Sequence, residues 1–362
     1  IRNCDWSSDV CSSDLMLTGY IEGYYGSLLD WNQRLKILES LSALNLNSYF
    51  YCPKEDPFHR LEWAEDYSDE YLLNLGSFFE SAKSLNIELI FGISPGFVSK
   101  SIDQKILNNK IQSIFDLGIK SLCILFDDIS FEATKQKGKE HAEILNKVVK
   151  DFPEIKLYIV PQIYSDQLSK TDITDCLYLN ELFSSMKYQV PFFWTGESVV
   201  SKSYDLEYIS KIQERFNQDL IIWDNFYASD YCEPRVTIDV YNPFVKNPKN
   251  IYGVMINPTG KVNLDILLLE LFSSGMGKGN EDFKSILKKH LPNEMIDILH
   301  YFKFEGRIGD IDEDIKIIDK VLWSSSMEIK LELYPYLHFL RFVLKNKPDL
   351  KYLLDKRLRL KS

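Results

Sequence analysis

From Met16 to about Gly275, short apolar runs alternate with longer stretches whose apolar residues recur at helical spacing. The runs are Leu17–Glu22, Asn47–Tyr51, Ile87–Ile93, Ser121–Phe126, Ile155–Val160, Val190–Trp194, Leu220–Trp223 and Ile251–Ile256. Each has the length of a strand, and unbroken apolarity is what a strand covered on both faces requires. The stretches between predict helices over 31–44, 69–85, 103–117, 137–150, 206–216 and 264–271. In the first, Leu35, Leu38, Leu41 and Leu44 fall on one face. Eight strands alternating with helices predict a (β/α)8 TIM barrel. A doubly wound open sheet is the alternative. The strand count favours the barrel, as do the polar clusters that follow nearly every strand, because such barrels carry their sites at the C-terminal strand ends.

After about Ser274 the strand rhythm stops. Helical stretches over 280–304, 310–323 and 327–359 are broken at Gly306, Gly309 and Ser324–Ser326. The expected division is a leader over 1–15, a barrel over 16–275 and a small all-α appendage over 276–362. The leader, Ile1 to Leu15, has no apolar core of signal-peptide length and no small-residue cleavage pattern. It resembles translated adapter sequence, with a natural start at Met16, and it is set aside from the fold.

Composition excludes several classes. A net charge of −11 disfavours nonspecific binding to nucleic-acid phosphates or anionic membranes. No apolar run approaches the roughly 20 residues needed to span a bilayer. No phosphate-cradling glycine loop and no zinc-like Cys/His spacing occurs. No cofactor or metal is therefore expected, nor nucleic-acid or membrane partners. Cys52, Cys123, Cys176 and Cys232 are widely spaced and read as free thiols, mostly buried, which suits a reducing compartment. With no signal sequence after Met16, the expected location is the cytoplasm. The C-terminal helices are expected to buttress the barrel or to form a homodimer.

The chemistry is expected where the strands end. Glu22-Gly23-Tyr24-Tyr25-Gly26 follows the first run, and Pro53 to Arg60 the second. Asp127-Asp128-Ile129 follows the fourth, Gln162-Ile163-Tyr164 the fifth and Thr195-Gly196 the sixth. Asp224-Asn225, with Asp230 beyond, follows the seventh, and Asn257-Pro258 the eighth. The sharpest feature is Asp127-Asp128, at the end of the apolar run Leu122–Phe126. Two carboxylates so close resist double ionisation, so one is expected to stay protonated near neutrality and to serve as a general acid. Taken alone, the dipeptide reads more readily as a solvated turn capping the next element; its place after the fourth run and the motifs around it favour the catalytic reading.

Taken together, these segments resemble glycoside hydrolase family 84, which contains O-GlcNAcases and bacterial β-N-acetylglucosaminidases. The resemblance rests on Gly19 to Gly26, Tyr51 to Arg60, Ile93 to Gly96, Leu125 to Ile129, Phe193 to Gly196, Trp223 to Asn225 and Asp230-Tyr231. It implies a retaining hydrolase whose nucleophile is the substrate's own 2-acetamido oxygen, so that a second catalytic carboxylate is not needed as nucleophile. Asp127 would then orient the acetamido group and stabilise the oxazolinium-like charge, and Asp128 would be the acid and base. Gly19 would present backbone to sugar hydroxyls, and Lys54 would donate to a hydroxyl or the ring side. Tyr164 would bond near the acetamido oxygen. Thr195 and Trp223 would shape the acetamido pocket, and Asn225 would bind that side of the site or brace Asp128. Asp230 would hold the O4 and O6 hydroxyls, and Asn257 a further hydroxyl. The substrate class implied is a GlcNAc-bearing glycoconjugate or glycopeptide.

Glu22, Asp56, His59 and Arg60 also match, as loop-fixing residues, with Glu22 expected to pair with Arg60. Two departures concern loops. Pro161 to Ser165 keeps the proline and tyrosine but lacks the glutamate and glycine expected around Tyr164, and Ser229 stands where asparagine is expected. Both bear on the preference for the leaving group. An Asp-Asp pair argues against hexosaminidases of other families and chitinase-like enzymes, which usually carry Asp-Glu. A non-catalytic GlcNAc-binding barrel is a further alternative.

Overall fold

The computed structural model describes residues 16–97, 101–232, 234–244, 251–324 and 328–346. The leader over 1–15 and the end of the last predicted helix lie outside the described residues. Eight strands run in chain order: β1 (Leu17–Glu22), β2 (Ser48–Tyr51), β3 (Glu88–Ile93), β4 (Ser121–Leu125), β5 (Lys156–Val160), β6 (Phe192–Trp194), β7 (Leu220–Asp224) and β8 (Gly253–Ile256). Every neighbouring pair is parallel, and β8 closes on β1 through pairs such as Gly19 with Met255. The sheet is a closed barrel, not an open sheet. The helices α1 (Trp31–Ala43), α2 (Asp69–Ser84), α3 (Gln104–Phe115), α4 (Lys135–Asp151), α5 (Leu177–Ser185), α6 (Leu206–Phe216) and α7 (Val262–Gly275) surround it.

Local chemistry sets the helix starts. Asp30 accepts from the Gln33 backbone N–H while the Gln33 side chain accepts from the Asp30 N–H, a reciprocal cap on α1. Ser68, Asp103, Thr134 and Asp205 cap α2, α3, α4 and α6 from one side only, the cap side chain accepting from the first turn. The nine-residue α5 was not expected from the pattern. It buries Tyr178, Leu179, Leu182 and Phe183, and so short a segment shows too few periods to separate it from an apolar loop.

The barrel interior is filled by alternate strand residues. Leu17 and Ile21, Phe50 and Cys52, Cys123 and Leu125, Phe193, Ile221 and Trp223, and Met255 pack together as one inner cluster. Because a strand repeats every two residues, the next inward position on six of the strands lies at the barrel mouth. That position is Gly23 after Ile21, Lys54 after Cys52, Asp127 after Leu125, Thr195 after Phe193, Asn225 after Trp223 and Asn257 after Met255.

Beyond the barrel come α8 (Phe283–His290), α9 (Asn293–Asp297), α10 (Ile311–Ser324) and α11 (Glu328–Lys345). The predicted helix over 280–304 is broken at Leu291-Pro292, because proline offers no N–H and disfavours helical geometry in the residue before it. The appendage shares the core of the barrel's outer layer, with Leu322, Leu333 and Leu337 in the same cluster as Leu264 and Leu268. Glu332 of α11 accepts from the backbone N–H groups of Asn263 and Leu264, satisfying donors at the start of α7. Among the described residues, no helix is long and apolar enough to cross a membrane.

Candidate active site

A pocket of about 280 Å3 opens at the C-terminal mouth of the barrel. All six inward mouth residues line it, together with Tyr25, Asp128, Tyr164, Trp223 and Asp230. Its floor is aromatic: the rings of Phe50, Phe193 and Trp223 stand 4.9–5.9 Å apart by centroid. Apolar walls with a few converging polar groups are the usual make-up of a small-ligand site.

Asp127 continues the inward face of β4 and is buried. Lys54, also buried, donates to its Oδ2 in direct contact, and Asp127 Oδ1 has no hydrogen-bond partner. The carboxylate is thus clamped on one oxygen, and the other is buried without a partner in a side chain that lines the pocket. Burial alone would lower the Lys54 ammonium, but attraction from Asp127 and Asp128 outweighs it and raises its pKa. The cation also lies 5.9 Å above the Trp223 ring.

Asp128 should point the opposite way from Asp127 if the strand simply continued. Instead its φ is +54°, a left-handed conformation that aspartate tolerates better than most residues. That turn brings both carboxylates to one pocket, and strained backbone of this kind collects at functional sites. Tyr25 donates to Asp128 Oδ2 at 2.6 Å and Tyr164 to Oδ1 at 2.9 Å. Lys54 Nζ lies 4.0 Å and the Arg60 guanidinium 3.6 Å from Oδ2. Burial pushes the carboxyl up, but Lys54, the two tyrosine hydroxyls and Arg60 together hold it below the usual carboxylate range. In the ligand-free pocket Asp128 is therefore the anion. The expectation that close approach to Asp127 would keep one acid protonated is corrected for this residue, because the cations outnumber the effect of its neighbour. The tyrosines respond in the opposite sense: burial and then Lys54 and Asp128 set Tyr25 at about 12, and Tyr164 is also pushed up by burial and Asp128.

Across the pocket, Asn225 joins two other residues. Its Oδ1 accepts from Trp223 Nε1 at 3.0 Å and from Asn257 Nδ2 at 2.9 Å, and its Nδ2 donates to the Val199 carbonyl at 2.8 Å. Its bonds brace the Trp223 indole and Asn257 and do not reach Asp128. Asn257 Oδ1 in turn accepts from the Gly23 N–H at 3.3 Å. Thr195 Oγ1 donates to the carbonyls of Ser198, at 3.1 Å, and Tyr164, at 3.3 Å. Asp230 Oδ2 accepts from the Tyr25 N–H at 3.1 Å, and burial raises its pKa against the lowering effect of that bond.

Two positions differ from expectation. Gly19 lies two inward steps below Gly23, where a Cβ would stand 1.8 Å from the Ser48 carbonyl oxygen. Its lack of a side chain serves the contact between β1 and β2, and Gly23 is the glycine at the pocket, where a Cβ would meet the Trp223 ring at 2.5 Å. Glu22 pairs with Arg34, not Arg60: Arg34 Nη2 donates to Oε1 at 2.8 Å and Nε to Oε2 at 3.0 Å, with Tyr49 donating to Oε2 at 2.7 Å. Glu22 sits at an outward position, facing α1 and away from the mouth.

Arg60 instead donates to the Tyr25 hydroxyl at 2.7 Å and faces Asp128. Tyr25 and Arg60 are thus site residues that the sequence reading did not place there, although both belong to the quoted motifs. Asp56 and His59 do fix loops. Asp56 accepts from the hydroxyls of Tyr51, Tyr67 and Tyr71, and His59 Nδ1 bonds the Gly92 carbonyl at 2.9 Å. Among the described residues, no group of three or more His, Cys, Asp or Glu is placed to hold a metal ion.

Residues 18–271 match the sequence profile of a family described as beta-N-acetylglucosaminidase. The chain belongs to that family, glycoside hydrolase family 84. The family match spans the whole barrel, from β1 into α7. Protein O-GlcNAcases of Mus musculus and Rattus norvegicus are each 27% identical over 334 residues, which cover 89% of this chain. The chain spans only 36% of the length of those two relatives. A solved structure of an O-GlcNAc hydrolase mutant from Thermobaculum terrenum superposes with a TM-score of 0.77 at 21% identity, covering 90% of this chain and 82% of that one. At that identity the likeness shows the barrel fold alone.

Proposed function

We propose that the protein is a retaining β-N-acetylglucosaminidase that removes terminal β-linked GlcNAc from glycoconjugates through an oxazoline intermediate. The observation that carries this reading is Asp127: a buried carboxylate lining the pocket, with one oxygen held by Lys54 and the other buried without a partner. An acetamido N–H donating to that oxygen would satisfy it, and would turn the acetamido carbonyl towards C1. The aromatic floor and the braced indole of Trp223 suit the acetamido methyl, with Thr195 and Asn225 beside it. Asp230 and Asn257, which line the pocket, would hold sugar hydroxyls.

In the reaction, the acetamido oxygen forms a bond to C1 as the C1–O bond to the leaving group breaks. Asp128 gives its proton to that departing oxygen, and Asp127 stabilises the charge on the ring that forms. Water then attacks C1 from the vacated face, Asp128 takes its proton, and the acetamido group is restored. Two inversions leave the β-configuration intact. For this, Asp128 must be protonated when substrate is bound. A leaving-group oxygen arriving at Asp128 displaces hydroxyl donors and water, which raises its pKa towards the working range.

Residues 16–275 are proposed as the catalytic unit, with 276–362 as a helical buttress. Trp323, Leu331 and Phe342 of α10 and α11 are 57–78% exposed. They are apolar side chains that the expected homodimer would cover, and a light-scattering mass of one chain would exclude it.

The test is hydrolysis of 4-nitrophenyl N-acetyl-β-glucosaminide beside the plain β-glucoside, using protein starting at Met16. Cleavage of the acetamido sugar alone, blocked by a thiazoline that mimics the intermediate, is the expected result. Equal cleavage of both sugars would sink the neighbouring-group mechanism. Thiazoline binding without turnover would point to a GlcNAc-binding barrel.

A further inference from the structure

Asp224 ends β7 one residue before Asn225, and no step of the reaction uses it. It follows Leu220 and Ile222 on the face of the sheet turned to the helices, so its side chain points away from the pocket. The side chain is fully buried. Among the described residues, three hydrogen-bond donors and no cation act on its charge. Oδ1 accepts from the Phe226 N–H at 2.8 Å and from the Tyr204 hydroxyl at 3.0 Å, and Oδ2 from the Tyr241 hydroxyl at 2.6 Å. Burial pushes its pKa up to about 6 against those three bonds. A buried carboxylate without a cation is costly to keep, and such groups cluster around functional sites.

Its three donors come from three segments. Tyr204 lies between β6 and α6, where its backbone N–H donates to the Pro243 carbonyl at 2.8 Å and its ring stacks on Phe244 at 5.2 Å. Tyr241 lies between β7 and β8, with its ring edge-on to Phe272 of α7 at 4.9 Å. Both hydroxyls are therefore anchored in the outer layer. The third donor, the Phe226 N–H, is two residues on from Asp224, so this bond closes a turn around Asn225. The turn leaves the Asn225 side chain on the inward face, where its Oδ1 holds Trp223 Nε1 and Asn257 Nδ2. A chain of fixed contacts thus runs from the outer layer through Asp224 and Asn225 to the indole that lines the pocket.

We propose that Asp224 is a positioning residue for the acetamido side of the pocket: from behind the sheet it fixes the turn that aims Asn225, and through Asn225 the Trp223 indole. The inference rests on the reading above, in which that indole borders the acetamido methyl. Without the carboxylate the turn loses its internal bond, Asn225 is free to leave the indole N–H, and the ring can yield to a longer acyl chain.

The experiment measures kcat/KM for the 4-nitrophenyl β-glycosides of N-acetyl- and N-butyryl-glucosamine. Their ratio does not depend on how much of the protein is folded. In Asp224→Ala the preference for the acetyl sugar should fall by about tenfold, the scale on which an apolar pocket rejects extra methylenes. Asp224→Asn should restore the parent preference, because its amide oxygen still accepts from Phe226 and Tyr204 while its amide N–H donates to the Tyr241 oxygen. In an Asn225→Ala background, Asp224→Ala should shift the ratio no further, since the two act in one chain of contacts. An unchanged preference in Asp224→Ala at lowered total activity would make the role merely structural and overturn the proposal. An equal shift with and without Asn225 would do the same, as would a parent protein that cleaves both acyl sugars equally. Should Asp224→Ala fail to fold, Tyr204→Phe and Tyr241→Phe each remove one donor and keep the ring; a lowered preference supports the proposal, and the parent preference in both overturns it. A parent protein that leaves the acetyl sugar intact, or cleaves the plain glucoside as well, would instead overturn the catalytic reading, and this one with it.

Discussion

Lys54→Met is the most informative single change, because Lys54 neutralises two carboxylates at once. The methionine keeps most of the length and the apolar stem of lysine and removes the ammonium, its charge and its donors. The side chains of Lys54 and Asp127 are 2% and 7% exposed, so the substitution leaves a buried carboxylate without its cation. Breaking a buried pair from one side typically costs about 3–5 kcal/mol. Asp128 lies 4.0 Å from Lys54 and its side chain is 30% exposed. Solvent screening therefore limits its share to about 1 kcal/mol. A loss of about 4–6 kcal/mol is a large part of the 5–15 kcal/mol that holds a typical fold.

The loss should also depend on pH. The folded pKa of Asp128 is depressed. Its ionisation therefore contributes stability that is present above the unfolded value of about 3.9 and is lost as pH falls through the lower folded value. In Lys54→Met that contribution is removed. Parent and variant should then draw closer as pH falls through the lower folded value of Asp128. Urea unfolding at pH 7 and at a pH of about 2.5 measures both, read as a midpoint shift at unchanged slope. A loss under 1 kcal/mol at pH 7, or an equal loss at both pH values, would refute the electrostatic account.

Other changes separate the roles of neighbouring residues. Asp128→Asn should remove most activity on alkyl glycosides but much less on activated aryl glycosides, which need little acid assistance; equal losses by steady-state kinetics would argue against Asp128 as the acid. Gly23→Ala should keep the fold and lower kcat/KM by about a hundredfold, because the new methyl displaces the Trp223 ring. Gly19→Ala drives a methyl into the Ser48 backbone and should cost about 3 kcal/mol or more in urea unfolding. If both glycine variants lost activity at full stability, the assignment of Gly19 to the strand contact would be wrong. Glu22→Gln leaves Arg34 buried without its carboxylate and should cost about 3–5 kcal/mol, with the sugar KM of the remaining folded enzyme unchanged.

Much of this molecule is legible in one dimension. An apolar run such as Leu122–Phe126 has the length and character of a strand covered on both faces, and eight of them separated by amphipathic helices have few ways to close. Polar residues at the ends of those runs have no apolar partner to pack against, so they gather at the mouth. Asp127, Lys54, Thr195, Asn225 and Asn257 could therefore be placed at the site from sequence. Strand periodicity also distinguishes Gly23 from Gly19, since only Gly23 is the inward residue at the mouth; the motif match carried Gly19 instead.

What the chain order did not determine is which charge meets which. Glu22 and Arg60 both border the barrel mouth in sequence, yet Glu22 turns outward to Arg34 on α1 and Arg60 turns inward to Tyr25 and Asp128. That choice follows from the side of the sheet each residue occupies and from loop geometry, which local pattern does not encode. The protonation of Asp128 is of the same kind. Next to Asp127 alone it would resist ionisation, but three loops from different strands bring Lys54, Tyr25, Tyr164 and Arg60 to it, and a left-handed residue in the backbone turns it to meet them. Apolar periodicity sets the barrel because burial acts through averaged pattern. The electrostatics of the site depend on distances of a few ångströms between residues dozens of positions apart, and only the closed barrel sets those.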